Sequence, residues 1–285
     1  MKKLFSWLIK LIVLFVILGA GLYWFAGYTP ETTGSERGPQ TTKEQQLESS
    51  EDQLTRTDRI YRLFHFEDAV ETAMNQRVPQ SQRVKGDAIS KDLKIALVAT
   101  EDKRYYDHGA IDAFGIARAF YTNLTAGETL EGGSTITQQL VKNLFLSSKR
   151  IMSRKVEEVL LAYLMEYYYT KDEILAMYLN TIYFGNDYYG LKQASEGYFD
   201  TDPQNLTLAQ SALLAGMPQA PSYYNPFTNY KAAKARQRTV LNLMAQQGII
   251  SAAEADKAYY SDLNLAKPLT DEDIARKEQE DLHNE

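Results

Sequence analysis

The sequence predicts a mainly α-helical protein. From Ser90 onward, apolar residues recur at helical spacing in one segment after another. Three of these segments open on a capping box, at Thr170-x-x-Glu173, Thr207-x-x-Gln210 and Ser251-x-x-Glu254. Strand signals are few and short, and no internal repeat is visible. A chain of 285 residues with 44% hydrophobic residues can bury a substantial core, in one large domain or two small ones.

The N-terminus has a different composition. Residues 4–26 read LFSWLIKLIVLFVILGAGLYWFA, and from Leu11 onward about 18 residues carry no charge, close to the ~20 that span a bilayer. Lys2, Lys3 and Lys10 flank the near side and Tyr23, Trp24 and Tyr28 the far side. Residues 1–28 therefore read as a cytoplasmic tip and a transmembrane signal anchor, leaving the rest outside the cell. The run ends in large aromatics without a small-x-small site, which argues against a cleaved signal peptide. Residues 29–55 are rich in Thr, Ser, Glu and Gln and form a flexible linker.

Residues 56–265 are the expected folded domain. Its opening stretch, 56–86, is mixed, and RIYRLF suits a short strand or a helix. Ser90 is placed to cap a helix that carries Leu93, Ala96 and Leu97 and closes near Glu101. Helical patterns follow at 111–124, 135–146, 152–169, 171–180, 190–199, 207–216, 229–247 and 251–260. Pro218, Pro221 and Pro226 turn one connection into a loop. Many of the 20 Tyr fall between Tyr163 and Tyr198, where they suit a helical core with polar tips. Residues 266–285 form a charged tail.

Composition also excludes functions. A net charge of −6 argues against nucleic-acid binding. With no Cys there is neither a disulfide nor thiolate chemistry, and three His make a multi-His metal site improbable.

The segment Gly132-Gly133-Ser134-Thr135-Ile136-Thr137-Gln138-Gln139-Leu140-Val141-Lys142-Asn143 sets an uncharged polar face behind a glycine loop. Ile136, Leu140 and Leu144 step by four and define its apolar face, and Ser134 or Thr135 can cap the helix. Hydrogen bonders with one Lys at a helix start suit a phosphate or a sugar; the plainer alternative is a solvated helix face behind a flexible turn. Glu101 ends an apolar run, so desolvation would raise its pKa and suit it to general-base work. The alternative there is an ion pair with adjacent Lys103 or Arg104. Arg154 and Lys155 lie within a turn of Glu158, either as an ordinary surface ion pair or as a cationic pair that holds phosphate. Glu157 points to another face and is expected to be solvated. Glu166, two turns beyond Glu158, is either a second partner or merely exposed. Two carboxylates in one cleft suit glycosyl chemistry, and nearby cations favour a phosphate leaving group over hydrolysis.

These residues resemble the peptidoglycan glycosyltransferases of family 51, found as monofunctional membrane enzymes and as the N-terminal domain of class A penicillin-binding proteins. The resemblance is carried by Glu101-Asp102-x-x-Tyr105-Tyr106-x-His108, by GGSTITQQLVKN at 132–143, and by Arg154-Lys155-x-x-Glu158 continuing to Tyr178-Leu179-Asn180 and Tyr183-Phe184-Gly185. It extends through Tyr189-Gly190, Tyr198-Phe199, Ala212-Leu213-Leu214-Ala215 and Asn225-Pro226, over roughly residues 85–250 in the family's order. Glu101 and Glu158 stand 57 residues apart, as the family's pair does. The chain departs from the pattern at Tyr105, where Phe is usual, and at Ala110, where Gly is usual. Only a few dozen residues follow Ile250, so the expectation is the monofunctional form.

The resemblance implies a lysozyme-like helical domain with a membrane-facing second lobe. Residues 111–130, with Phe114, Ile116, Phe120, Tyr121 and Leu124, would be the interfacial segment. It implies lipid II and the growing glycan strand as substrates, β-1,4 bond formation with inversion, and release of undecaprenyl diphosphate. Glu101 would be the general base and Glu158 the second catalytic carboxylate. Lys142, Arg154 and Lys155 would stabilise the diphosphate. Ser134, Thr135, Gln138, Gln139, Asn143, Asp102 and His108 would bind or position substrate. A divalent metal, Mg or Mn, would be bound with the substrate diphosphate, and Glu158 would either orient the cations or help to hold that metal. The cell-wall synthesis machinery is a further expected partner, and nucleic acid is not.

Overall fold

The computed structural model describes residues 53–126, 133–146 and 152–267, with a few positions between 43 and 51. The expected anchor (1–28), most of the linker, residues 127–130 of the interfacial segment and the tail beyond 267 lie outside the described residues. Among the described residues no helix is long and apolar enough to cross a membrane.

The described chain is helical throughout, with α1 (Arg56–Phe64), α2 (Phe66–Arg77), α3 (Lys91–Glu101), α4 (Ala113–Ala126), α5 (Ile136–Phe145) and α6 (Met152–Tyr168). The helices α7 (Lys171–Thr181), α8 (Leu191–Phe199), α9 (Leu208–Gly216), α10 (Tyr230–Gln246) and α11 (Ala252–Tyr260) follow. Among the described residues the β-structure is a single isolated bridge between Tyr183 and Tyr189. RIYRLF is helical: Thr55 and Asp58 close a capping box at its start. The boxes read from sequence at Thr170, Thr207 and Ser251 are all formed. Ser90 is a correction. It precedes α3 but makes no side-chain cap, because its hydroxyl turns to the Leu206 carbonyl at 3.3 Å.

Two packing layers position the site. α5 packs against α6 and α7, while α9 packs against α3 and α10. One continuous core joins them, with Leu93 and Leu97 of α3, Ile136 and Leu140 of α5, Leu175 and Leu179 of α7 and Leu213 and Leu214 of α9 all buried. Each such side chain removed from water contributes roughly 1.5–3 kcal/mol. The tyrosines divide: Tyr178 and Tyr198 are fully buried, whereas Tyr167 is 80% exposed.

Two glycines make the return after α7 possible. Gly185 and Gly190 have φ of +81° and +79°, and a Cβ on either would stand 2.6 Å or less from a backbone carbonyl oxygen. Only glycine meets both demands. Asn180 then ties the segment before α3 to α7, donating to the Val84 carbonyl at 2.8 Å and accepting from the Val84 N–H at 2.7 Å.

α4 has the opposite character. Phe114, Ile116, Tyr121 and Leu124 are all exposed on a short helix, and an apolar cluster of this kind marks an interaction surface.

Candidate active site

The site is built around α5. Thr135 caps it, accepting from the Gln138 N–H at 3.1 Å while the Gln138 side chain accepts from the Thr135 N–H at 3.1 Å. The Thr135 hydroxyl donates to the Ala110 carbonyl at 2.9 Å. Asp102 adds a second cap, accepting from the Ile136 N–H at 3.1 Å. A carboxylate suits this helix end, where unpaired N–H groups and the helix dipole present positive charge.

The face with a solvated alternative is buried at its start and half-buried at Gln139, Lys142 and Asn143. Thr137 and Gln138 are as inaccessible as Ile136 and Leu140. Three consecutive residues each reach a different carboxylate. Thr137 donates to Glu166 at 2.6 Å, Gln138 to Glu158 at 3.0 Å and Gln139 to Glu101 at 3.0 Å. Successive helical residues point about 100° apart, so one turn gathers three acids from two helices, Glu101 from α3 and Glu158 and Glu166 from α6.

Glu101 lies at the last position of α3. Burial pushes its carboxyl above the ordinary value of 4.5, while the Gln139 amide and the charges of Arg236 and Lys142 oppose the shift. Tyr178 donates to Gln139 Oε1 at 2.9 Å and so fixes which end of the amide faces Glu101. Lys103 and Arg104 are not its partners: Lys103 is exposed and Arg104 reaches Asp112 at 3.3 Å.

Glu158 is 3% exposed and holds Gln138 together with Lys155, whose ammonium bonds the same Oε1. Glu157 is a correction: it is not solvated but carries an ion pair with Arg59. Glu166 is held by Thr137 and by Lys171 at 2.7 Å. Lys142 and Asn143 are half-buried on the last turns of α5, Arg154 is half-buried, and Ser134 is exposed.

Asp102 and His108 face one another. His108 Nε2 lies 2.8 Å from Asp102 Oδ1 and Nδ1 lies 2.6 Å from the Gly109 carbonyl. Both ring nitrogens face acceptors, an arrangement that favours the protonated ring. Burial alone would lower its pKa, but the Asp102 carboxylate and the Gly109 carbonyl outweigh burial and raise it.

Asp102, His108 and Asp112 bring three ligand-type atoms within 4.8 Å of one another, yet they do not fit a metal. Both His108 nitrogens face acceptors, Asp102 is occupied by His108 and the Ile136 N–H, and Asp112 accepts from Arg104 and the Phe114 N–H. Glu158 Oε1 is likewise committed to Lys155 and Gln138.

Sequence reasoning missed three contributors. Tyr178 orients Gln139, Arg236 of α10 adds positive charge near Glu101, and Thr137 holds Glu166. Tyr178 sat inside a recognisable motif, whereas nothing local in the sequence ties Arg236 to Glu101.

A half-buried carboxylate at the end of α3 thus lies near the cation-bearing helices α5 and α6 on a helical scaffold. The chain belongs to the transglycosylase family, whose profile matches residues 68–245. It is similar to penicillin-binding protein 1A of Neisseria flavescens, at 47% identity over 181 residues, covering 64% of this chain and 23% of that one. It is also similar to penicillin-binding protein 1F of Bacillus subtilis (strain 168), at 45% identity over 177 residues, 62% of this chain and 25% of that one. The chain thus spans about a quarter of the length of these curated relatives.

Proposed function

We propose that this chain is a membrane-anchored peptidoglycan glycosyltransferase that polymerises lipid II into β-1,4-linked glycan. The observation that carries the reading is Glu101, a desolvated carboxylate at the end of α3 held by the neutral amide of Gln139 on α5, the helix that also bears Lys142. Such a group binds a proton more readily than a free carboxylate and is suited to remove one from a hydroxyl.

In this mechanism Glu101 takes the proton of the acceptor GlcNAc 4-hydroxyl. The oxygen attacks the anomeric carbon of the growing strand from the face opposite the diphosphate. The new C–O bond forms as the bond to the diphosphate breaks, and the electron pair leaves with undecaprenyl diphosphate. Lys142, Arg154 and Lys155 stabilise that departing charge. Glu158 acts from beneath, orienting Lys155 through their shared bond. Thr135, Gln138, Gln139, Asp102 and His108 serve as the frame, because their polar atoms are already bonded within the protein. Exposed Ser134 and half-buried Asn143 are left to meet sugar and phosphate oxygens.

The exposed apolar residues of α4 support an interfacial role, as a lipid-borne substrate requires. Residues 56–265 form the catalytic domain, lysozyme-like with α4 in its membrane-facing lobe. Residues 1–28 are the anchor and 29–55 the linker, with the catalytic domain extracytoplasmic. The divalent metal binds with the substrate diphosphate.

The test incubates purified full chain with labelled lipid II and a divalent metal, wild type beside Glu101→Gln. A glycan ladder from wild type alone supports polymerase and base together. Polymer from both proteins removes Glu101 from the base role. Polymer from neither, with soluble sugar fragments released from cell wall, replaces the reading with hydrolysis.

A further inference from the structure

α1 precedes residues 68–245, the span that the family profile matches, and yet it grips both helices that carry the cations. Arg59 and Arg62 are three residues apart and share one face of α1. Arg59 pairs with Glu157 of α6, the residue next to Glu158, and both members of the pair are largely shielded from water. Arg62 is buried and donates to the Phe145 carbonyl at 3.3 Å, with its guanidinium 4.8 Å from the centre of the Phe145 ring. Phe145 closes α5, where carbonyls lack helical partners and the dipole presents negative charge. Glu51 gathers both arginines, its carboxylate on Arg62 at 2.7 Å and its carbonyl on Arg59 at 3.2 Å.

We propose that α1 is a clamp, with Arg59 and Arg62 as positioning residues that fix the end of α5 against the first turns of α6. Neither arginine touches the carboxylates or cations assigned to substrate. What they set is the relative placement of Lys142 on α5 and of Lys155 and Glu158 on α6. A glutamate–arginine contact beside Glu158 resists rotation of α6, and a guanidinium on the last turn of α5 resists its fraying. The link from this clamp to turnover rests on the proposed glycosyltransferase reading; the mechanical link does not.

The experiment compares full-length wild type, Arg59→Glu, Glu157→Arg and the double charge swap. Amide hydrogen exchange is followed over 152–158, with α9 as internal reference, and lipid II turnover is followed as kcat and KM. A coupled ion pair predicts exchange at 152–158 faster by roughly tenfold in each single variant, with recovery in the swap. In parallel, kcat falls in the singles while KM holds, and kcat recovers in the swap. Unchanged exchange at 152–158 in Arg59→Glu overturns the clamp, as does failure of the swap to restore it. Faster exchange with unaltered kcat overturns the positioning role. Absence of polymer from wild type strikes the glycosyltransferase reading alone, since exchange still decides the clamp. If Arg59→Glu loosens α9 as much as α6, the milder Arg59→Gln with the same readouts decides.

Discussion

Glu101 and Glu158 are drawn to the same helix by adjacent glutamines, yet their surroundings differ. Glu101 meets a neutral amide, itself pinned by Tyr178. Burial there works against the charged form and raises its proton affinity. Glu158 meets Gln138 in the same way but also carries Lys155 on one oxygen. Two acids of one residue type, one half-buried and one buried, thus acquire different tasks, and Lys155 on Glu158 marks the second. One is placed to accept a proton, the other to hold a cation still.

The largest effect that tests this contrast is Glu101→Gln, which should cut polymerisation by about 10²–10⁴-fold in a turnover assay. The same variant should melt at a higher temperature at neutral pH. A carboxyl raised above 4.5 in the folded state contributes stability below that pH and loses it as pH rises through the raised value. The amide removes that loss, so the gap between variant and wild type should close on acidification. A lower melting temperature for Glu101→Gln at pH 7 would break the desolvation argument.

Glu158→Ala should destabilise by about 1–3 kcal/mol in a denaturant titration, because it strands the buried Gln138 amide. Thr135→Ala comes next. It removes one half of the capping box on α5 and should cost about 1 kcal/mol in the same titration.

Gln139→Leu sharpens the comparison from the other side. It deletes the bond that holds Glu101 down, so the acid limb of the pH–rate profile should move to higher pH. A limb that stays put or moves lower would separate Gln139 from the base. The smallest stability change belongs to Lys155→Gln. Its side chain is 48% exposed, so loss of the pair should cost less than about 1 kcal/mol. Its turnover should nonetheless fall well beyond that figure, if its charge serves the diphosphate.

Much of the fold was legible because its signals are local. Capping boxes at Thr170, Thr207 and Ser251 depend on residues three apart, and helical periodicity depends on residues three and four apart. The same locality explains the misses. Ser90 fits a cap by position, but its hydroxyl is taken by a carbonyl on a distant segment. Glu157 faces away from Glu158 along α6, and a reading of one helix leaves it in water until α1 packs beside it with Arg59.

The site divides along the same line. The sequence by itself determined the helical class, the elements that carry Glu101, Lys142 and Glu158, and the family pattern those residues follow. Only the tertiary structure decided that Thr137 and Gln138 of α5 are buried, that Thr137, Gln138 and Gln139 each hold a different acid, and that His108 is spent on Asp102. The reason is range. Capping and periodicity are written within one turn of helix, whereas desolvation and ion pairing depend on what distant segments place alongside.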